Sequence, residues 1–292
     1  MKSLVFGEVL WDIIEGVPHL GGAPLNFAAH VQQCGHTAGI ISAVGRDDFG
    51  NQALSEIENL GLDTSMIQVS DFRTGFVPVT LTNGQPDYEI TKEVAYDYIR
   101  REQLDSKRIS DFDTFYFGSI VQRSGVSNEA LYHILDSHDF RQIFYDVNLR
   151  RDAYSKEVIE RSLKYCTVLK LNDDEVDIIG PMLFGKSLSI PDFGEEVGRK
   201  YSQIETVITT AGGDGCYVFS DGKISQVPAE KITVLDTVGA GDSFSASFMC
   251  VYSSTGDPVK AASIGNKVGG YVASNSGPIP KYSNELMDLF KQ

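Results

Sequence analysis

The run Asp236-Thr237-Val238-Gly239-Ala240-Gly241-Asp242-Ser243-Phe244 sets a pair of glycines and then a carboxylate at the mouth of a segment with helical periodicity, Ser243 to about Tyr252. Glycines there let the backbone pass close to a ligand. The first N–H groups of a helix have no intrahelical partner, and with the helix dipole they form a site suited to a phosphate. A carboxylate has the wrong sign to bind that phosphate, so Asp242 suits a base that takes a proton from an attacking hydroxyl. The same residues can also make an ordinary Gly-rich turn whose Asp stabilises the helix dipole. Taken alone, the stretch leaves both readings open.

Five further groups could do chemistry. Asp12 is an acid inside an apolar stretch, either on an exposed strand face or in contact with a ligand. In Gly21-Gly22-Ala23-Pro24-Leu25-Asn26, a glycine pair precedes a helix started by Pro24 and stopped by Gly35, which leaves room for a small polar ligand or forms a loop and cap. Asp146-Val147-Asn148-Leu149-Arg150 ends a strand, where ligands of α/β sheets bind; Arg150 could pair with a carboxylate, a phosphate or Asp152. Asn172-Asp173-Asp174-Glu175 follows another strand. It could position a hydrated Mg²⁺, or make a capping box with Asn172 as cap and Glu175 three residues on. Thr210-Ala211-Gly212-Gly213-Asp214-Gly215 suits close approach of a flat ligand or phosphate, or a tight turn; neither a dinucleotide fingerprint nor a Walker motif occurs.

The elements that must hold these groups alternate. Strand-like runs at Leu4–Leu10, Ala38–Val44, Thr114–Phe117, Gln142–Val147, Thr167–Leu171, Thr206–Thr210 and Cys216–Phe219 are interleaved with helical segments near 24–34, 48–60, 127–137, 155–164 and 193–201. That order predicts an α/β fold with a mostly parallel sheet covered on both faces. Asp221-Gly222 reads as a hairpin, Ile232–Leu235 as a further strand-like run, and 243–253, 258–274 and 283–290 as helices. From Thr74 to Ile99 the pattern changes to alternating arms around Asn83-Gly84, with Tyr88, Ile90 and Val94 in the second arm. With 11–20, this region (74–100) predicts a small β-rich lid on a body made of 1–10, 21–73 and 101–292.

The chain has 292 residues and a formal net charge of −15, which argues against nucleic acid and anionic membrane surfaces as partners. No apolar run reaches the length of a bilayer span, and the N-terminus reads as a strand rather than a signal peptide. Cys34, Cys166, Cys216 and Cys250 are isolated and read as small buried hydrophobes, which fits a reducing cytoplasm.

Together these stretches resemble the ribokinase-like (PfkB) family of sugar kinases. Gly21 to Ala28, with Gly35 and Gly45, matches its N-terminal signature, and Asp236 to Phe244 its C-terminal one; Ser247 stands where the signature has Ala or Gly. The resemblance implies a three-layer body with a lid. It implies Asp242 as catalytic base, the N–H groups of Gly239, Ala240 and Gly241 as anion hole, and Asn172 and Glu175 as organisers of Mg²⁺ and phosphate. Thr210, Gly212, Gly215 and Asn266 would line the ATP site, and Asp12, Gly22, Asn26 and Arg150 would hold the sugar. Some members bind K⁺ beside the anion hole, which points to Asp236 and Val238. The residue pattern is most like fructokinases, implying transfer of the ATP γ-phosphoryl group to D-fructose and a homodimer formed through the lid. A 2-keto-3-deoxygluconate kinase is the alternative. A sugar-binding regulator without turnover is a further one, although it would not need Asp242.

Overall fold

A computed structural model describes the chain except for residues 83, 84, 89, 151, 152 and 292. Strands β1 (Lys2–Phe6), β2 (Leu10–Ile14) and β3 (Val17–Gly21) lead to α1 (Ala23–Gln33), β4 (Thr37–Gly45), α2 (Asp48–Asn59) and β5 (Ile67–Ser70). Next come β6 (Gly75–Thr82), β7 (Gln85–Tyr88), α3 (Ser106–Ile109), β8 (Thr114–Gly118), α4 (Gly125–Ser137) and β9 (Gln142–Asp146). Then follow α5 (Lys156–Leu163), β10 (Val168–Asn172), α6 (Asp173–Phe184), α7 (Ile190–Lys200) and β11 (Thr206–Thr210). The chain ends with β12 (Cys216–Ser220), β13 (Lys223–Val227), α8 (Ala240–Thr255), α9 (Pro258–Ala273) and α10 (Asn284–Asp288).

Nine strands form one sheet in the order β13-β12-β11-β10-β9-β8-β1-β4-β5, parallel from β11 to β5 and antiparallel at β12 and β13. Alternate residues of one strand serve opposite faces. Val5, Tyr116 and Phe144 pack with Phe27 of α1, Phe248 of α8 and Val268 of α9. Leu4, Phe6, Phe115, Phe117 and Tyr145 pack on the other side with Leu131 of α4, Ile159 of α5, Val176 of α6 and Phe193 of α7. This is the ribokinase-like α/β architecture with a mostly parallel central sheet. The carboxyl ends of β1, β9, β10 and β11, where open α/β sheets bind ligands, lie along one edge of it.

A second sheet, β3-β2-β6-β7, stands apart, with β2 and β6 parallel and the outer pairs antiparallel. The Asn83-Gly84 turn lies outside the described residues. Leu10, Val77, Val94, Tyr96, Ile120 and Ala153 fill the space beneath this sheet.

Three expectations are corrected. Leu4–Leu10 is not one strand: the chain leaves the large sheet at Gly7, where a Cβ would lie 2.4 Å from Pro24 Cγ, and Leu10 opens the second sheet. Ile90 and Val94 are not part of a second arm, because β7 ends at Tyr88 and both pack into the cluster below. Ile232–Leu235 is irregular, with Leu235 68% exposed; the N–H groups of Leu235 and Asp236 go to Ala273 O at the end of α9 (2.8 and 3.2 Å) instead of to a strand. All four cysteines are buried thiols, and no helix among the described residues is long and apolar enough to cross a membrane. Ser247, the departure from the signature, is buried and bonds Ser243 O at 2.7 Å within its own helix.

His30 ties α1 to the segment behind α8. It is fully buried, its Nε2–H donates to Pro278 O (2.9 Å), and its Nδ1 accepts from Tyr282 O–H (2.7 Å). Burial pushes its pKa down to about 4, which the bond to Pro278 only partly offsets. The unfolded chain therefore binds a proton that the folded one refuses between the ordinary value and about 4, and the neutral imidazole loses its stabilising advantage as pH falls through that window. Comparing urea melts of the wild type and His30→Gln should show the stability gap narrowing by up to about 3 kcal/mol from pH 7 to pH 4. A gap independent of pH would show that His30 does not titrate in this way.

Candidate active site

At the start of α8, Gly239 takes a left-handed conformation (φ 77°), and a Cβ there would meet Pro278 O at 2.5 Å; both require glycine. Ala240 N–H, expected in the anion hole, donates to Thr237 O at 3.2 Å within this turn. The N–H groups of Gly239, Gly241 and Asp242 have no acceptor among the described residues and can serve an incoming anion. Asp236 braces this turn, accepting from Val238 N (3.0 Å) and Gly277 N (3.2 Å), so both its carboxylate oxygens are engaged.

Asp242 Oδ2 accepts from Asn26 Nδ2 at 2.8 Å, across 216 residues of sequence. The bond joins the first turns of α1 and α8. Burial raises the Asp242 pKa to about 6; the Asn26 bond and Lys170 oppose the shift, while Asp146 adds to it. A carboxylate poised there is a fit general base near neutral pH.

Behind it lies a buried ion pair that the sequence reading missed. Lys170 Nζ donates to Asp146 at 3.0 and 3.3 Å, and Asp146 Oδ2 also accepts from Ser245 Oγ at 3.0 Å. Burial alone would lower the Lys170 pKa, but Asp146, Glu175 and Asp242 together outweigh it and raise it. A Cβ on Gly241 would sit 3.5 Å from this ammonium, so the charge lies beside the anion hole. The signal was a lysine inside the otherwise apolar run 168–171.

Asn172 and Glu175 form the capping box: Glu175 N donates to Asn172 Oδ1 and Asn172 N to Glu175 Oε2, each at 2.8 Å. Glu175 Oε1 also accepts from Leu149 N (2.7 Å), reached because Asn148 turns left-handed at φ 41°. Burial raises the Glu175 pKa against the pull of Lys170. Each of its oxygens has thus spent one lone pair on backbone. No cluster of three carboxylate, His or Cys ligands occurs among the described residues. The donor set fits a Mg²⁺ carried by phosphates and touched by Glu175 through water, not a protein cage.

The residues expected to hold the sugar sit on β2, at the start of α1 and after β9. Asp12 lies on β2; burial lifts its pKa to about 6. A Cβ on Gly21 would lie 2.9 Å from Asp12 Oδ2, and one on Gly22 (φ 113°) 2.5 Å from Glu8 O. Arg150 is exposed and bonds Leu149 O, yet its charge acts on Glu8, Asp12 and Asp242 alike. Asp152, its alternative partner, lies outside the described residues. Arg123 pairs bidentately with Asp97 (2.8 and 2.9 Å), and both border a cavity of about 290 Å³ also lined by Lys92, Glu93, Tyr98 and Ser124.

Of the residues expected to line the ATP site, Thr210 ends β11 and Gly212 is exposed with φ 51°. Gly215 is buried, and a Cβ there would strike Val227 O at 2.1 Å; its missing side chain serves the packing of β12 and β13. Asn266 Nδ2 holds Val227 O (2.9 Å) and Pro228 O (3.3 Å), fastening α9 to the end of β13.

A ribokinase-like sheet with free helix-start N–H groups beside a buried carboxylate is an arrangement suited to phosphoryl transfer. Residues 3–285 match the pfkB family of carbohydrate kinases, and the chain belongs to that family. An uncharacterized sugar kinase of Pyrococcus horikoshii is 29% identical over 83% of this chain and 80% of its own. The fructokinase of Escherichia coli is 25% identical (87% and 85% covered), as is the 2-dehydro-3-deoxygluconokinase of Thermoproteus tenax (92% and 85%). The structure of Xylella fastidiosa fructokinase with bound ATP superposes with a TM-score of 0.88 at 19% identity, covering 99% of this chain and 98% of that one.

Lys170→Met leaves Asp146 as an unpaired buried charge and should cost about 3–5 kcal/mol in denaturant unfolding. Adding Asp146→Leu should recover more than half of that loss. No recovery would mean that the pair is not coupled.

Proposed function

We propose that this protein is an ATP-dependent kinase that phosphorylates the 6-hydroxyl of D-fructose. The observation that carries this reading is the Asp242 carboxylate, held by Asn26 at 2.8 Å between the anion hole and the acceptor pocket. Asp242 takes the proton of the sugar hydroxyl on Oδ1, the oxygen that Asn26 leaves free. The hydroxyl oxygen attacks the γ-phosphorus of ATP, the bond to the β,γ-bridging oxygen breaks, and ADP leaves. The free N–H groups of Gly239, Gly241 and Asp242 receive the charge on the transferring phosphoryl, with the Lys170 ammonium beside them. Bound Mg²⁺ would neutralise phosphate charge, with Glu175 and Asn172 positioned to hold its water.

The acceptor pocket favours a neutral sugar. Asp12 and Asp242 are carboxyls whose burial resists ionisation, and with Asn26 they suit hydroxyl groups. A second reading, 2-keto-3-deoxygluconate, is favoured by Lys92 and Arg123 on the adjoining cavity and by Arg150, which could face its carboxylate. We further propose that the second sheet, which carries Asp12, closes over the sugar and pairs with a second copy. Its exposed Ile14 and Val17 motivate the contact, and sedimentation as a monomer at micromolar concentration would contradict it.

Asp242→Asn keeps shape and removes basicity, so kcat should fall by about two to four orders of magnitude with little change in nucleotide binding. Near-normal turnover would refute the assignment of the base. In a coupled assay over fructose, 2-keto-3-deoxygluconate, ribose and tagatose, fructose should lead in kcat/KM by at least roughly tenfold. If the keto acid led instead, and Arg150→Ala abolished that preference, fructose would be excluded and the kinase reading would stand.

A further inference from the structure

Glu8 is a buried acid to which the phosphoryl transfer assigns no task. It sits where the chain passes from β1 to β2, it is 2% exposed, and its Oε2 has no hydrogen-bond partner among the described residues. Asn26 shares this condition. Its Nδ2 donates to Asp242, and because a carboxylate only accepts, that bond fixes which way the amide faces. Its Oδ1 is left buried and without a partner. The residues that carry these two orphans both meet Gly22. A Cβ on Gly22 would lie 2.5 Å from Glu8 O and 3.4 Å from Glu8 Cγ, while Gly22 O accepts from Asn26 N at 2.9 Å. Leaving a buried acceptor unpaired is costly, and two acceptors cannot satisfy each other. One proton placed between them satisfies both, and of the two groups only the carboxyl can carry it.

We propose that Glu8 works in its protonated form, its Oε2–H donating to Asn26 Oδ1 directly or across one ordered water, so that Glu8, Asn26 and Asp242 form one chain that aims the base. Glu8 touches no reacting atom and is a positioning residue. The charges around it allow this state. Burial raises its pKa to about 7, and Asp242 on α8 adds to the rise. Its own backbone N–H, Arg150 after β9 and Arg123 after β8 oppose it. Arg123 is itself tied to Asp97, and the phenols of Tyr96 and Tyr116 also face this charge. When Glu8 loses its proton, an anionic Oε2 confronts Asn26 Oδ1. The amide then turns, and Asp242 loses its donor.

The kinetic consequence rests on the kinase reading; the protonation state does not. Two measurements on the full chain separate them. In infrared difference spectra without substrates, the wild type should show a protonated-carboxyl band that disappears near pH 7 and is missing from Glu8→Gln. In turnover with ATP and D-fructose, the wild type should lose kcat on the alkaline side with the same midpoint. Glu8→Gln, whose amide donates to Asn26 at any pH, should carry that limb at least about one pH unit higher. Glu8→Leu should lower kcat roughly tenfold or more with a smaller change in KM for the sugar. A wild-type spectrum without such a band, or a Glu8→Gln profile superposed on that of the wild type, would overturn the proposal. If no sugar were phosphorylated, the kinase reading would fail and the infrared result would still decide the state of Glu8.

Discussion

The site depends on the hydrogen bond between Asn26 and Asp242. Its own energy is modest, roughly 1.5–3 kcal/mol for a bond to a charged group, so it cannot hold two helices together. Packing does that: Phe27 of α1 stacks on Tyr116 at 4.0 Å, and Phe248 of α8 sits edge-on to Phe144 on the same sheet face. The bond selects one carboxylate orientation from those that packing allows, with Oδ2 engaged and Oδ1 left free of Asn26. Close backbone approach at both helix starts is possible because Gly22 and Gly239 have no side chain to strike Glu8 O and Pro278.

Electrostatics set the working range of that carboxylate. The carboxyl ends of the central strands collect Glu8, Asp146, Glu175 and Asp242 against few cations, and crowding of like charge with burial raises the pKa of Glu8, Glu175 and Asp242. Lys170 is the buried counter-charge that keeps the group tolerable. It is bonded to Asp146, and its field reaches Glu175 and Asp242. It also offers positive charge to a phosphate without reaching out from the surface. The whole chain carries −15, so local pairing, not net charge, makes room for an anion here.

Much of this was legible in the sequence because backbone demands leave marks. Gly21-Gly22, Gly239 and the Asn172-to-Glu175 spacing each encode a turn or cap that only certain residues satisfy, and the β-then-α alternation gives the parallel sheet. What was not legible depended on contacts distant in sequence. That Gly215 and Asn266 secure β13, and that Gly239 packs against Pro278, follow from packing that no local pattern reports. The run Ile232–Leu235 has strand-like composition, but the N–H groups of Leu235 and of Asp236 after it meet the end of a helix. Glu8 and Lys170 were visible only as charges interrupting apolar runs, a signal that marks a buried ionisable group without saying what it pairs with.

The central claim is that Asp242 acts as the base in its ionised form, with a pKa lifted to about 6 by burial. The most direct measurement is kcat/KM for the sugar as a function of pH at saturating ATP and Mg²⁺. Activity should fall on the acid side with a midpoint near pH 6, approaching a tenfold loss per pH unit below it. A profile flat from neutral pH down to the ordinary carboxylate range would contradict the account.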